Sequence, residues 1–327
     1  MFQAPTAASP VPDESFAHFL ERSGRVEVIW FPFSTNPWLH VWTVAPEKPA
    51  ASRAVDAPYN YPFADNVTST LEDLLKFTLD KLDPALTPEL GRAMANITSQ
   101  GLDGKDFFGT PTYPPSRDLW GPSKNTLLYI KDSTLRVTAN GYAIHLKKAD
   151  LQRAVHDFTT KFEEMLARYA AEGKYPVNSP LEIRVTSLDE PQKLGVAAGT
   201  VGAPPVISSL NKDELAVRNH WDVALWIDVL TLPGTANANA FFREFEVWLL
   251  QRFSGSAGRP MPEWSKGWAY TGDGPWTDAD YLEKVRQLFT VGRADDDTWR
   301  FEVETLQKYD GHNLYTNPFL ARLFTVK

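Results

Sequence analysis

The 327-residue chain contains no cysteine. That removes disulfides, thiolate metal sites and cysteine nucleophiles together, and leaves the redox compartment open. Apolar runs of roughly 18 residues or more are absent, so no transmembrane helix is expected. Basic residues are also in deficit: 33 Lys and Arg face 41 Asp and Glu, for a net charge of −8. A chain without a basic patch is poorly suited to nucleic-acid phosphates. The six histidines (His18, His40, His145, His156, His220 and His312) are scattered with no His-Glu-x-x-His spacing, so no metal site is expected. Phosphate-binding Gly-x-Gly-x-x-Gly and Gly-x-x-x-x-Gly-Lys-Ser/Thr turns and a Gly-x-Ser-x-Gly elbow are missing too. The glycines between Gly195 and Gly202 have neither that spacing nor a following helix. Met1-Phe2-Gln3-Ala4-Pro5 lacks the charged start and apolar core of a signal peptide, which fits either an intracellular chain or a piece of a longer exported one.

Aromatic residues are abundant. They make up 13% of the chain, with 11 Trp and 19 Phe, enough for a packed core and for flat apolar surface against a large ligand. Residues 1–14, rich in Pro, Ala and Ser, read as a linker, and 15–327 as the folded unit. Arg25 to Phe33 is a β-branched and aromatic strand, with Glu27 on the face of Ile29 and Phe31. Trp38 to Val44 reads as its partner. Leu71 to Leu82, 88–100, Asp150 to Gly173, Asn239 to Phe253, a segment opening at Thr277-Asp278 and Asn317 to Phe324 follow helical spacing or start signals. Thr126 to Lys131 reads as a strand, and Asn140-Gly141 between Thr134–Ala139 and Tyr142–Leu146 as a type I′ hairpin turn. Residues 254–276 read as loop. Long strands with connections of unequal length point to an α+β fold, a large, mostly antiparallel sheet with helices packed on it.

Two strands carry charge in alternation with aliphatics. In Pro180 to Ser187, Leu181, Ile183 and Val185 take one face, and Glu182, Arg184 and Thr186 the other. The carboxylate and guanidinium stand about 7 Å apart along the strand. Alternation alone fits a solvated ion pair of little energetic weight. It also fits an acid/base beside a fixed cation. From Trp221 to Leu232, Val223, Leu225, Ile227 and Val229 oppose Asp222, Ala224, Trp226 and Asp228. Glu27 and Lys266 are further charges set among aromatic or apolar residues, where a charge is either at a wet edge or held by a partner.

Several stretches together resemble one family. They are Gly24 to Phe33, Pro58-Tyr59-Asn60-Tyr61-Pro62-Phe63, Trp120-Gly121-Pro122-Ser123-Lys124, Leu135 to Tyr142, Leu181 to Ser187 and Glu263-Trp264-Ser265-Lys266-Gly267-Trp268. These look like the substrate-binding region of bacterial cholesterol oxidases of the vanillyl-alcohol-oxidase type, which carry covalent FAD. The likeness runs from about residue 15 to the end. It implies the cap domain of a flavoenzyme that oxidises a 3β-hydroxysterol to a 3-ketosteroid, reduces O2 to H2O2 and shifts a double bond. It implies catalytic roles for Glu182 and Arg184 and, with a looser register, for Glu27. Trp264 and Lys266 resemble a flavin-facing Trp-x-Lys motif of sugar-oxidising relatives. The implied partners are a sterol and a FAD-binding domain or subunit that these residues do not include, without which the chain should be inactive. The family is typically exported. A flavin-dependent sugar or aldonolactone oxidase fragment and a non-catalytic sterol-binding module remain as alternatives.

Overall fold

The computed structural model describes residues 1–58, 83–106, 108–112, 114–127, 137–190, 205–266 and 275–324. Its strands in chain order are β1 (Val26–Trp30), β2 (Trp38–Val41), β3 (Arg53–Ala54), β4 (Leu119–Trp120), β5 (Thr138–Leu146), β6 (Leu181–Ser187), β7 (Val223–Thr231) and β8 (Arg259–Pro262). The described helices are α1 (Phe16–Ser23), α2 (Thr87–Leu102), α3 (Ser123–Thr126), α4 (Leu151–Ala171), α5 (Glu214–Asn219), α6 (Ala238–Arg252), α7 (Ala279–Leu288), α8 (Trp299–Tyr309) and α9 (Pro318–Leu323).

Six strands form one sheet in the order β2-β1-β6-β7-β5-β8, and every neighbouring pair is antiparallel. The expected α+β architecture is therefore present. Period-two alternation sorts side chains to two faces. Val26, Val28, Trp30, Leu181, Ile183, Leu225, Ile227, Val229, Tyr142 and Ile144 face the main core, all at 3% exposure or less. Against them α4 presses Val155, Phe158, Phe162 and Met165, and α6 presses Phe241, Phe245 and Leu249. Phe162 and Phe241 meet edge to face at 6.0 Å, a favoured aromatic geometry. Each buried Phe contributes roughly 1.5–3 kcal/mol of transfer free energy, so this face holds the sheet flat side up for the other.

Local signals account for the helix ends. The Ser15 hydroxyl accepts from the N–H of His18 at the start of α1, and Gly24 ends it with φ 76°. Asp278 caps α7 and Asn317 caps α9 in the same way. The helices expected at Asp150 to Gly173, Asn239 to Phe253 and 88–100 are α4, α6 and α2 within two residues or so. The helix expected at Leu71 to Leu82 lies outside the described residues.

Four expectations differ from the structure. Residues 1–14 form no helix or strand, but the first three are fastened down rather than free: Gln152 donates through Nε2 to the carbonyls of Met1 and Gln3, and Phe2 packs on Trp30 at 5.0 Å. Asn140-Gly141 is not a hairpin turn but the middle of the nine-residue strand β5. There Asn140 donates to Glu246 at 2.6 Å on the core side, and Gly141 serves a close approach described below. The segment expected as loop after 254 contains the edge strand β8. The strand expected from Thr126 is replaced, in its described part, by the end of helical turn α3, and 128–136 lie outside the described residues.

Candidate active site

The second face of the sheet collects the charge. Register aligns Glu27 with His40 on one side and Arg184 on the other, and aligns Glu182 with Asp228, which in turn faces Gly141. Paired residues share a face, so β2, β1, β6 and β7 contribute side chains to one row, with Gly141 of β5 beside it. Arg184 Nη1 lies 3.3 Å from Glu27 Oε1, and Nη2 lies 3.4 Å from Glu182 Oε2 and bonds closely to Asp228 Oδ2. His40 Nδ1 sits 3.3 Å from Glu27 Oε2. The last member arrives from outside the sheet. The N–H of Glu263 donates to the Gly141 carbonyl at 2.9 Å, which docks the turn Trp264–Lys266 against β5. Lys266 Nζ then reaches Asp228 Oδ1 at 2.6 Å.

The structure thus brings together Glu27, Glu182, Arg184 and Lys266 of the five expected site residues. It does not bring Trp264 to them. The Trp264 indole donates to the Ile207 carbonyl at 3.0 Å and packs on Phe324 at 5.4 Å, among the apolar residues of the C-terminal helices.

Charge and burial set the chemistry of the row. Three carboxyl groups face two cations. Asp228 is fully buried, Glu27 is 5% exposed and Glu182 14%, whereas Arg184 and Lys266 are about one-third exposed. Burial pushes the Glu182 carboxyl up to about 7; Arg184 and Lys266 oppose that rise, while Asp228 and Glu27 add to it. Burial is the main cause, and a guanidinium divided among three carboxyls offsets it only in part. Burial also works against the charge on Arg184, yet Asp228, Glu182 and Glu27 together hold its pKa above the usual arginine value. The result is one fixed cation beside one carboxyl poised to change protonation near neutrality.

Sequence reasoning missed Asp228. It was sorted to the correct face of its strand, but nothing in Asp222-Val223-Ala224-Leu225-Trp226-Ile227-Asp228 distinguishes it from Asp222. A signal was present across strands: Gly141 stands opposite it, and a Cβ there would overlap Asp228 Oδ1 and crowd Lys266. The glycine is required by the carboxylate, not by a turn.

Apolar surface lies at the β2 end of the row. Ile29, Phe31 and Trp38 form a cluster roofed by Met94, Ala95 and Leu102 of α2. Gly91 lets α2 approach this closely, since a Cβ would overlap the Pro32 carbonyl oxygen. A cavity of about 370 Å3 opens there, lined by Phe31, Phe33, Trp38 and Leu102 among others. A larger apolar cavity of about 430 Å3, lined by Leu215, Val247, Leu250, Leu288 and Val291, borders none of the row's carboxylates. The first lies beside the row, since Trp38 of its lining packs on the His40 ring at 4.0 Å.

Fold and site define a sheet-based substrate domain with one buried, charge-imbalanced row on its open face. The family model for the substrate-binding part of cholesterol oxidase matches residues 1–325, and the chain belongs to that family. A solvent-stable cholesterol oxidase is 42% identical, with a TM-score of 0.85, over 99% of this chain and 57% of its own. Cholesterol oxidase from Brevibacterium sterolicum is 34% identical over the same shares, also with a TM-score of 0.85. The chain thus spans a little over half the length of these solved relatives. A comparison with curated proteins finds no match.

Cholesterol oxidases are FAD enzymes. The pyrophosphate of that cofactor is typically taken by free main-chain N–H groups at a helix start. The starts of α1, α5, α7, α8 and α9 are closed by their own Ser15, Asp213, Asp278, Thr298 and Asn317 side chains, whereas α2, α3, α4 and α6 have no side-chain cap. The row itself is richer in carboxyls than in cations and does not suit a phosphate.

Proposed function

We propose that this chain is the sterol-binding part of a cholesterol oxidase whose FAD is held by a further domain or subunit, and that it does not turn over alone. The observation that carries the reaction class is a buried carboxyl, Glu182, with a pKa near 7, 3.4 Å from a guanidinium. A general base works best when its pKa lies near the operating pH. Glu182 accepts the proton of the sterol 3-hydroxyl, and Arg184 stabilises the charge that develops on that oxygen. FAD supplies the acceptor for the hydride of C3. Glu27, bound to both Arg184 and His40, is the second carboxylate of the row and the candidate to move the proton that shifts the double bond into conjugation. The cavity by Phe31 and Trp38 offers aromatic surface for a flat four-ring nucleus, in a lining that also holds Thr35, Asn36, Asn96 and Arg92, and Trp264, packed away from the row, lends no support to a sugar-oxidising reading.

The test uses the complete enzyme with its flavin domain and cholesterol as substrate, following peroxide. Glu182→Gln is expected to lower kcat by two orders of magnitude or more, in the range typical of a lost general base. Near-full turnover contradicts the assignment. The 327-residue chain alone is expected to bind cholesterol without yellow colour or peroxide; peroxide from that chain contradicts the division of labour.

A further inference from the structure

Among the three carboxyls of the row, Asp228 is the most deeply buried. Asp228 has no exposed surface, and its two carboxylate oxygens are divided between two cations: Oδ1 with Lys266 at 2.6 Å, Oδ2 with Arg184. The chain is shaped around it. Gly141, with no Cβ, leaves room for Oδ1 and for the Lys266 stem, and the turn that delivers Lys266 hangs from the Gly141 carbonyl. Glu182 stands opposite Asp228 in the register, and its own link to Arg184 is the longer of the two. With both cations drawn to the centre, one carboxyl is left with the weakest compensation.

We propose that Asp228 is the positioning residue of this site: it draws Lys266 and Arg184 onto itself and thereby leaves Glu182 as the carboxyl that holds the exchangeable proton. The groups that face Glu182 are Asp228 from β7, Glu27 from β1 with His40 of β2 behind it, Arg184 from its own strand, and Lys266 from the turn after β8. Removing the Asp228 charge lifts the repulsion between two carboxylates and frees Arg184 for Glu182. Removing Lys266 does the reverse, because Arg184 is then drawn further toward Asp228 and one cation is lost from the row. The two substitutions act on Glu182 with opposite signs. A role confined to packing gives no such sign.

This inference rests on the same site as the proposed function, but it concerns proton binding by the chain and needs neither flavin nor sterol. The experiment is a pH titration of the chain labelled with 13C at the glutamate side-chain carboxyl, with the Glu182 signal identified by its loss in Glu182→Gln. In Asp228→Asn the Glu182 midpoint is expected to fall by at least one pH unit, and in Lys266→Met to rise. An unchanged or raised midpoint in Asp228→Asn overturns the proposal, as does a fall in Lys266→Met. Should Asp228→Asn not fold, the Lys266→Met shift decides alone. If the midpoints move as stated while Glu182→Gln leaves the complete enzyme active, the positioning role stands and the catalytic reading fails. If they do not move while turnover is lost, the reverse holds.

Discussion

One face of one sheet carries two buried ionic clusters, and their construction differs at every point. Around Asp213 the charges balance. Arg259 reaches Asp213 at 2.7 Å, Arg293 reaches it at 3.4 Å and Asp297 at 3.5 Å, giving two acids for two bases. Burial disfavours the Asp213 charge, but Arg259, the Ala216 N–H and Arg293 overcome that and hold its pKa below the usual range. The histidine of this cluster, His145, is pressed by burial and Arg259 down to about 3, and as a neutral ring it bonds the Ser209 carbonyl at 2.7 Å. The Arg293 side chain has no exposure. Around Asp228, three carboxyls share two cations that are one-third exposed, and Glu182 titrates near 7. Burial of charge alone does not mark a site. A balanced cluster whose two arginines are buried is part of the scaffold; an imbalanced one whose cations reach the surface is where protonation can change in use.

The comparison is open to test by stability first. Asp213→Ala strips two guanidiniums of their shared partner and uncaps α5, so a loss of about 3–5 kcal/mol is expected from denaturant melts. A small loss there would mean that the cluster is not scaffold. The pH dependence comes next, and its sign separates the two clusters. His145 has a folded-state pKa of about 3 against an ordinary value of 6.5. Its contribution is present above 6.5 and is lost as pH falls toward 3. Glu182 is the opposite case. Its folded-state pKa is about 7 against 4.5, so its contribution is present below 4.5 and is lost as pH rises through 7. Glu246, buried on the core side beside Asn140 and Tyr142 and pushed by burial up to about 8, adds to the same alkaline loss. Glu182→Gln and Glu246→Gln should each flatten the stability curve between pH 5 and 8, by roughly 1–3 kcal/mol. A curve unchanged by Glu182→Gln would equate the two clusters.

A smaller effect is expected from Gly141→Ala. Its new methyl group meets Asp228 Oδ1, and overpacking of this kind typically costs about 1–3 kcal/mol. In the complete enzyme its larger consequence should be in turnover, through displacement of Asp228 and Lys266. The smallest effect is expected from Trp264→Phe, which keeps an aromatic ring against Phe324 and touches no member of the row. It should leave the Glu182 titration in place, and a shift would return Trp264 to the site.

Much of this was legible in the chain because strands expose their logic every second residue. The Leu181–Ser187 alternation assigned Glu182 and Arg184 to one face, and the Val223–Thr231 alternation assigned Asp228 to a face without saying that it mattered. Which residues stand opposite one another depends on register between segments far apart in sequence, and no local pattern carries that. Asn140-Gly141 shows the cost of local reading. The pair has the chemistry of a tight turn, yet tertiary contacts recruit the asparagine for Glu246 and the glycine for Asp228. The rise of the Glu182 pKa was not legible for the same reason: it comes first from burial in the folded sheet, and a two-residue view shows Arg184 beside Glu182 but hides the two other carboxyls that claim it. The Trp-x-Lys stretch split in two, its lysine going to the row and its tryptophan to the C-terminal core.

The most direct measurement is the titration midpoint of Glu182 in the unmodified chain, read from its 13C carboxyl signal. A midpoint near 7 is the result expected of a buried carboxyl left short of compensation by Asp228. A midpoint at or below the ordinary value of 4.5 would show Glu182 to be one more ion-paired surface acid, and would contradict the account of the row as the chemically active part of the sheet.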